Sequence, residues 1–153
     1  MFKIFLYNWQ VREDWFSWCE KIPLEELTKK RHGGMGSFLH NLFHVIDCEQ
    51  IWVNQMLGKP VLQKDTGSVP ALEEVKDYSG STRSVTMDLL NSHEGFEEKF
   101  LNLKRKDGSI DKVSYIKVLS HIASHEVHHI GQLSVWAREM GMKPVSSDLI
   151  FRT

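Results

Sequence analysis

The sequence predicts an all-α protein, a single four-helix-bundle domain over residues 1–153. Three observations carry that expectation. Apolar residues recur at three- and four-residue spacing in four long segments, prolines and glycines fall between those segments, and no stretch alternates β-branched with polar residues over the length of a strand. A chain of 153 residues fits one domain able to bury its own core. With 41% hydrophobic and 25% charged residues, its composition is that of a folded globular protein.

The first helix is expected over about residues 2–20, where Phe5, Trp9, Arg12, Phe16 and Cys19 form one stripe and Pro23 stops the run. After "RHGGMG" at 31–36, whose glycines supply a flexible approach, Ser37 is a candidate N-cap for the second helix, a start one turn earlier being equally allowed. That helix continues to Leu57 and ends at "GKP". Residues 58–72 hold two prolines and two glycines and read as a long connection, able to cross the bundle so that the second and third helices run parallel. The third helix is expected over roughly 73–103, with an interruption allowed near Ser79 and Gly80, burying Val85, Leu89, Phe96, Phe100 and Leu103. "KDGS" then makes a turn. The fourth helix runs from about Ser114 to Met140 and stops at Gly141, with Pro144 following.

Composition excludes several function classes. A formal net charge of -1 argues against a nucleic-acid binder, and the basic runs "KKR" and "LKRK" read as solvated loop surface. No apolar run approaches the roughly 20 residues needed to span a bilayer, so no membrane partner is expected. The N-terminus turns polar too early for a signal peptide. Cys19 and Cys48 make no C-x-x-C and no disulfide framework, so both read as small buried residues in a reducing, cytoplasmic setting.

Chemistry concentrates in "HIASHEVHH", residues 121–129. On a helical wheel Val118, Ile122, His129, Leu133, Trp136 and Met140 fall within about 40° of one line, with His125 about 60° to one side. His129 therefore sits within an apolar stripe, where an unpaired imidazole would cost on the order of 1–3 kcal/mol. His125, one turn back, converges with it, and two neutral imidazoles at that spacing point to a divalent metal. His121 and His128 lie further round on the side of His125, suited to substrate contact, to a supporting role or to the surface. A third ligand must come from elsewhere. The second helix offers His40 and His44, one turn apart, with Asp47 and Glu49 nearby, and its nearly all-round apolar wheel does not choose among them. His32, in the glycine-rich approach, is expected to face solvent.

His125, Glu126 and His129 also spell the H-E-x-x-H of zinc proteases, in which the glutamate polarises water. The extended form of that motif requires glycine at 132 and histidine at 135, where this chain has Gln132 and Val135. Glu139 and Asp148 leave too little chain for a separate ligand-bearing helix, and no strand is expected to align a peptide. The protease reading is set aside, and Glu126 either lies near the metal or packs at the helix edge.

The aromatic first helix, "FLHNLFHVIDCEQIW", "GKP" and "HIASHEVHHIGQLSVWAREMG" together resemble the DinB family, grouped with the YfiT-like metal-dependent enzymes. The resemblance covers essentially the whole chain, and H-x-x-x-H followed by G-Q is its most specific part. It implies a four-helix bundle threaded up-down-down-up, a homodimer, and three histidines around a divalent ion, commonly zinc or nickel. The implied ligands fall on His44, His125 and His129. His40, His121, Glu126, His128 and Gln132 are candidates for catalytic roles around them, and Gly131 for close helix packing. Relatives of this kind include thiol-dependent transferases using bacillithiol, mycothiol or glutathione, so the resemblance implies transfer of a low-molecular-weight thiol cosubstrate to a small electrophile. A metal-dependent hydrolase and a non-enzymatic stress-response protein with a structural metal are the alternatives.

Overall fold

A computed structural model of the protein describes residues 1–64, 70–92 and 95–152. The described residues form five α-helices, α1 (Phe2–Cys19), α2 (Leu24–Thr28), α3 (Phe38–Met56), α4 (Leu72–Asn91) and α5 (Tyr115–Glu139), and an antiparallel hairpin of β1 (Phe100–Lys104) and β2 (Ile110–Ser114). Single 3-10 turns lie at Phe96–Glu98 and Leu149–Phe151. The expectation of an all-α, simple four-helix, up-down-down-up bundle is corrected by the fifth helix and by the hairpin.

Both corrections have local causes. Pro23 ends α1 and then occupies the N-cap of α2, where Glu25 and Glu26 lie in the first turn against the positive end of the helix dipole. The expected third helix stops at Asn91 rather than continuing to residue 103. Beyond it, burial alternates along β1, with Leu101 and Leu103 inward and their neighbours exposed, a period of two that a helix does not sustain. Asp107 and Gly108 shape the tip: Gly108 takes φ +87°, and Asp107 Oδ1 accepts from the Ser109 amide at 2.9 Å and its hydroxyl at 2.6 Å. The "KDGS" turn is thus where it was expected, but it joins strands.

The other helix limits follow their signals. Ser37 caps α3, its Oγ accepting from the His40 amide at 3.1 Å, and Ser114 caps α5 through the Lys117 amide at 3.2 Å. At the far end of α5, Gly141 with φ +72° donates to the Arg138 carbonyl and Met142 to the Ala137 carbonyl, both at 2.9 Å. Of the long connection, residues 65–69 lie outside the described residues. Its start is tied back to α3, where the Gln50 amide exchanges two hydrogen bonds with the backbone of Leu62. Among the described residues no helix is long and apolar enough to cross a membrane.

Helices α1 and α3 each pack against α4 and α5 or their neighbours around two apolar clusters. One is built on Trp15, Phe38, Leu42, Leu133 and Trp136, the other on Phe5, Val53, Leu89, Leu119 and Ile122. Between them lies a charged layer. Arg12 is fully buried, with Nε and Nη2 donating to the two oxygens of Glu126 at 2.8 and 2.7 Å, Nη2 to Glu49 at 2.7 Å and Nη1 to Ser79 Oγ at 3.1 Å. Thr86 donates to Glu49 Oε1 at 2.6 Å, and the Trp9 indole N–H lies 3.3 Å from the same oxygen. This layer joins α1, α3, α4 and α5.

Candidate metal centre

Helices α3 and α5 face one another in opposite directions, since His44 lies against His125 and His129 while Trp52, two turns further along α3, lies against His121. This pairing brings together the three expected ligands. One donor atom from each of His44, His125 and His129 falls within 4.8 Å of the others, and all three residues are half-buried. His44 Nε2 and His125 Nε2 are 3.1 Å apart. A tetrahedral ion with bonds of about 2.0–2.1 Å holds its ligand nitrogens about 3.4 Å apart, so the cluster needs little adjustment to take one.

The third ring is set by its own partners. His129 Nδ1 lies 2.8 Å from Gln132 Oε1, an acceptor that also receives the Asn41 amide at 3.0 Å. Nδ1 must therefore carry the proton, leaving the Nε2 lone pair of His129 free to bind an ion. Asn41 is fixed in turn, donating to the His129 carbonyl at 2.9 Å and accepting the Met35 amide at 2.7 Å. Gly34 closes over this pair at φ +51°, where a Cβ would meet Gln132 Oε1 at 2.5 Å and Asn41 Oδ1 at 2.6 Å. "RHGGMG" is thus a close-fitting cover rather than a flexible approach. Gly131 has no such role: an added Cβ there meets nothing within 4 Å, which removes the expectation of close helix packing.

Electrostatics favour neutral rings. Burial, then neighbouring His129, His44, His121 and His128, holds His125 down at about 4, and burial with His129 lowers His44 against the opposing pull of Asp47. His125 Nδ1 is buried without a hydrogen-bond partner among the described residues. Convergent, neutral and incompletely hydrogen-bonded nitrogens fit a divalent cation, and the cluster is capable of coordinating one.

The remaining candidates separate clearly. His121 is exposed, its ring 5.6 Å from His125 and 5.7 Å from Trp52; His128 is exposed, 5.1 Å from the ring of His129. His40 is half-buried with Nδ1 2.6 Å from Ser37 Oγ, at the start of α3. Glu126 points away into the charged layer, 3% exposed, its carboxyl raised by burial against the pull of Arg12. Arg12 holds both of its oxygens away from the histidines, and the H-E-x-x-H match is an overlay. Asp47 accepts from Tyr78 at 2.6 Å and Glu49 belongs to Arg12, so neither joins the histidines. His32 is exposed, as expected. Burial pushes the thiols of Cys19 and Cys48 up to about 12.

Asn41 and Gly34 were not singled out by sequence. The available signal was their pattern: Asn41 interrupts the apolar run of α3, and Gly34 belongs to a glycine cluster that must serve either a turn or a close approach. Arg12 was visible inside an apolar stripe, which demands a buried counter-charge.

The fold and site define a helical protein that presents three histidines from two facing helices as a candidate divalent-metal centre. The chain belongs to the DinB family, whose model matches residues 1–153. It is similar to "Uncharacterized protein YizA" of Bacillus subtilis (strain 168), with 40% identity covering 100% of this chain and 96% of that protein. It is also similar to "Protein DinB" of the same organism, at 21% identity over 96% of this chain and 90% of that one.

Proposed function

We propose that the protein is a metal-dependent enzyme that transfers a low-molecular-weight thiol to a small electrophilic substrate. The observation that carries this reading is the convergence of His44, His125 and His129, with no fourth histidine, cysteine or carboxylate in the group among the described residues. Three protein ligands are the number found at catalytic rather than closed structural zinc sites. Bound zinc or nickel would supply a Lewis acid that lowers the proton affinity of a thiol.

The chain's own residues supply the rest. Gln132 orients His129, and burial keeps His44 and His125 in the neutral, ligating form. His121 and His128 stand exposed beside the cluster, their rings against those of His125 and His129, where they can contact a bound substrate. Cys19 and Cys48 stay protonated at neutral pH, which favours a thiol brought by a cosubstrate over one from the chain.

Purified protein is expected to carry about one zinc or nickel ion per chain by elemental analysis. It should conjugate a chlorodinitrobenzene only with a thiol such as bacillithiol or glutathione present, losing the activity on chelation and regaining it with metal. An unchanged rate after complete metal removal overturns the reading. Metal-dependent turnover of an ester, amide or phosphoester without thiol would replace it with the hydrolase alternative.

A further inference from the structure

The row of ring contacts between α3 and α5 does not end at the three histidines. Along α3, His44, Cys48 and Trp52 recur one turn apart, and along the facing helix His125, His121 and Lys117 do the same. Ring contacts tie the two rows together: His44 to His125 at 4.8 Å, His125 to His121 at 5.6 Å, and His121 to Trp52 at 5.7 Å. Beyond Trp52 the hairpin closes one side. There a cavity of about 180 Å³ is lined by Trp52, Leu103, Val113, Lys117, Val118 and His121.

Its chemistry is selective. Leu103 and Val113 face inward from the two strands of the hairpin, diagonal to one another in a register that pairs Leu101 with Val113 and Leu103 with Asp111, and with Val118 they make an apolar wall. Trp52 adds an aromatic surface. Lys117 is exposed, and its ammonium makes no ion pair or hydrogen bond among the described residues. A cavity of about 150 Å³ is enough to hold benzene, so this one takes a single ring or branched alkyl group with a short substituent. The unpaired lysine at its rim selects a negative charge on that substituent.

We infer that this cavity is the substrate subsite of the three-histidine centre, accepting a small aromatic or branched apolar molecule that carries a carboxylate. His121 stands between the cavity and His125, so a molecule seated against Trp52 directs its far end along His121 toward the cluster. The assignment rests on the proposed enzymatic reading for its role in turnover, whereas binding to the cavity requires no metal.

The test uses 4-phenylbutanoate and its neutral alcohol, titrated into the full chain as purified and after chelation, with backbone and indole N–H shifts recorded by NMR. The carboxylate is expected to bind saturably in both preparations and to shift the Trp52 indole and the Leu103, Val113 and Lys117 amides. Val113→Trp, which fills the cavity from the surface hairpin, should weaken binding by about tenfold or more. Lys117→Gln should weaken the carboxylate by about two- to fivefold and leave the alcohol unchanged. Lys117→Gln lies on an exposed helix face, so its result stands even if Val113→Trp disturbs the hairpin. Absence of saturable binding, shifts confined to other surfaces, or equal affinity of acid and alcohol in the wild-type chain overturns the inference. Elemental analysis separates the two ideas: a chain that holds no metal as purified and takes up no zinc or nickel on addition, yet binds 4-phenylbutanoate at Trp52, defeats the enzymatic reading and leaves the subsite standing.

Discussion

Two polar centres share helix α5 through adjacent residues, and they are built on opposite terms. Glu126 belongs to the charged layer, where Arg12 meets two carboxylates and a hydroxyl, and Glu49 also takes Thr86; the ionic partners are 0–3% exposed. His125 belongs to the cluster one step round the helix, where two Nε2 atoms share a single contact and Nδ1 has no partner among the described residues. A buried group with its hydrogen bonds completed holds a fold together, and one left incomplete in a half-open cleft is held ready for something else. Near-identical positions in sequence thus carry unrelated tasks.

The largest effect should come from breaking the closed centre. Arg12→Met leaves Glu49 and Glu126 facing each other without their counter-charge, a change that typically costs about 3–5 kcal/mol. At about 2–4 °C per kcal/mol for a chain of this size, the melting temperature should fall by about 10 °C, as calorimetry would show. Loss of metal alone, with an unchanged melting temperature, would mean that the two centres had been assigned the wrong way round.

The open centre should respond in the reverse sense. His44→Ala is expected to abolish metal binding in elemental analysis while changing the stability of the metal-free protein by no more than about 1 kcal/mol. Gln132→Ala should lower metal affinity by about 10- to 100-fold in a competition titration, because His129 loses the acceptor that fixes its proton on Nδ1. Gln132→Glu, which keeps an acceptor at that point, should recover most of it.

The smallest expected effect is on pH dependence. His125 titrates at about 4 in the folded chain against 6.5 as the unperturbed value, so between these limits the unfolded chain binds a proton that the folded one refuses. Stability of the metal-free protein should therefore decline as pH falls from about 6.5 toward 4 and receive no further loss from this residue below that. His44, also lowered, adds in the same direction. Both residues are only partly buried, so solvent screens the effect. Subtracting the melting profile of His125→Gln from that of the wild type isolates it, and a flat difference would show that the ring is not held neutral.

How much of this was legible before the fold was known depends on which residues had local signals. The limits of α1, α3 and α5 followed from Pro23, Ser37 and Gly141, each acting within a few residues. His125 and His129 were readable as a pair because helical spacing alone brings them together. The choice of His44 over His40 was not, since it depends on how α3 is rotated against α5, and only the family resemblance anticipated it. The hairpin was hidden by a coincidence of spacing: Phe96, Phe100 and Leu103 match a helical stripe as well as Leu101, Leu103 and Val113 match a strand's, and tertiary packing on α5 decides between them. Glu126 was ambiguous for a similar reason, because its partner Arg12 lies 114 residues away.

The grip of Arg12 on Glu126 has a mechanical side. Successive residues of a helix stand about 100° apart around its axis. A twist of α5 large enough to swing His125 out of the cleft would drag the Glu126 carboxylate off a guanidinium that holds both of its oxygens. The charged layer therefore acts as a torsional lock, setting the angle at which α5 presents its imidazoles, and a loosened lock would register at the cluster as misaimed rings before it registered as unfolding.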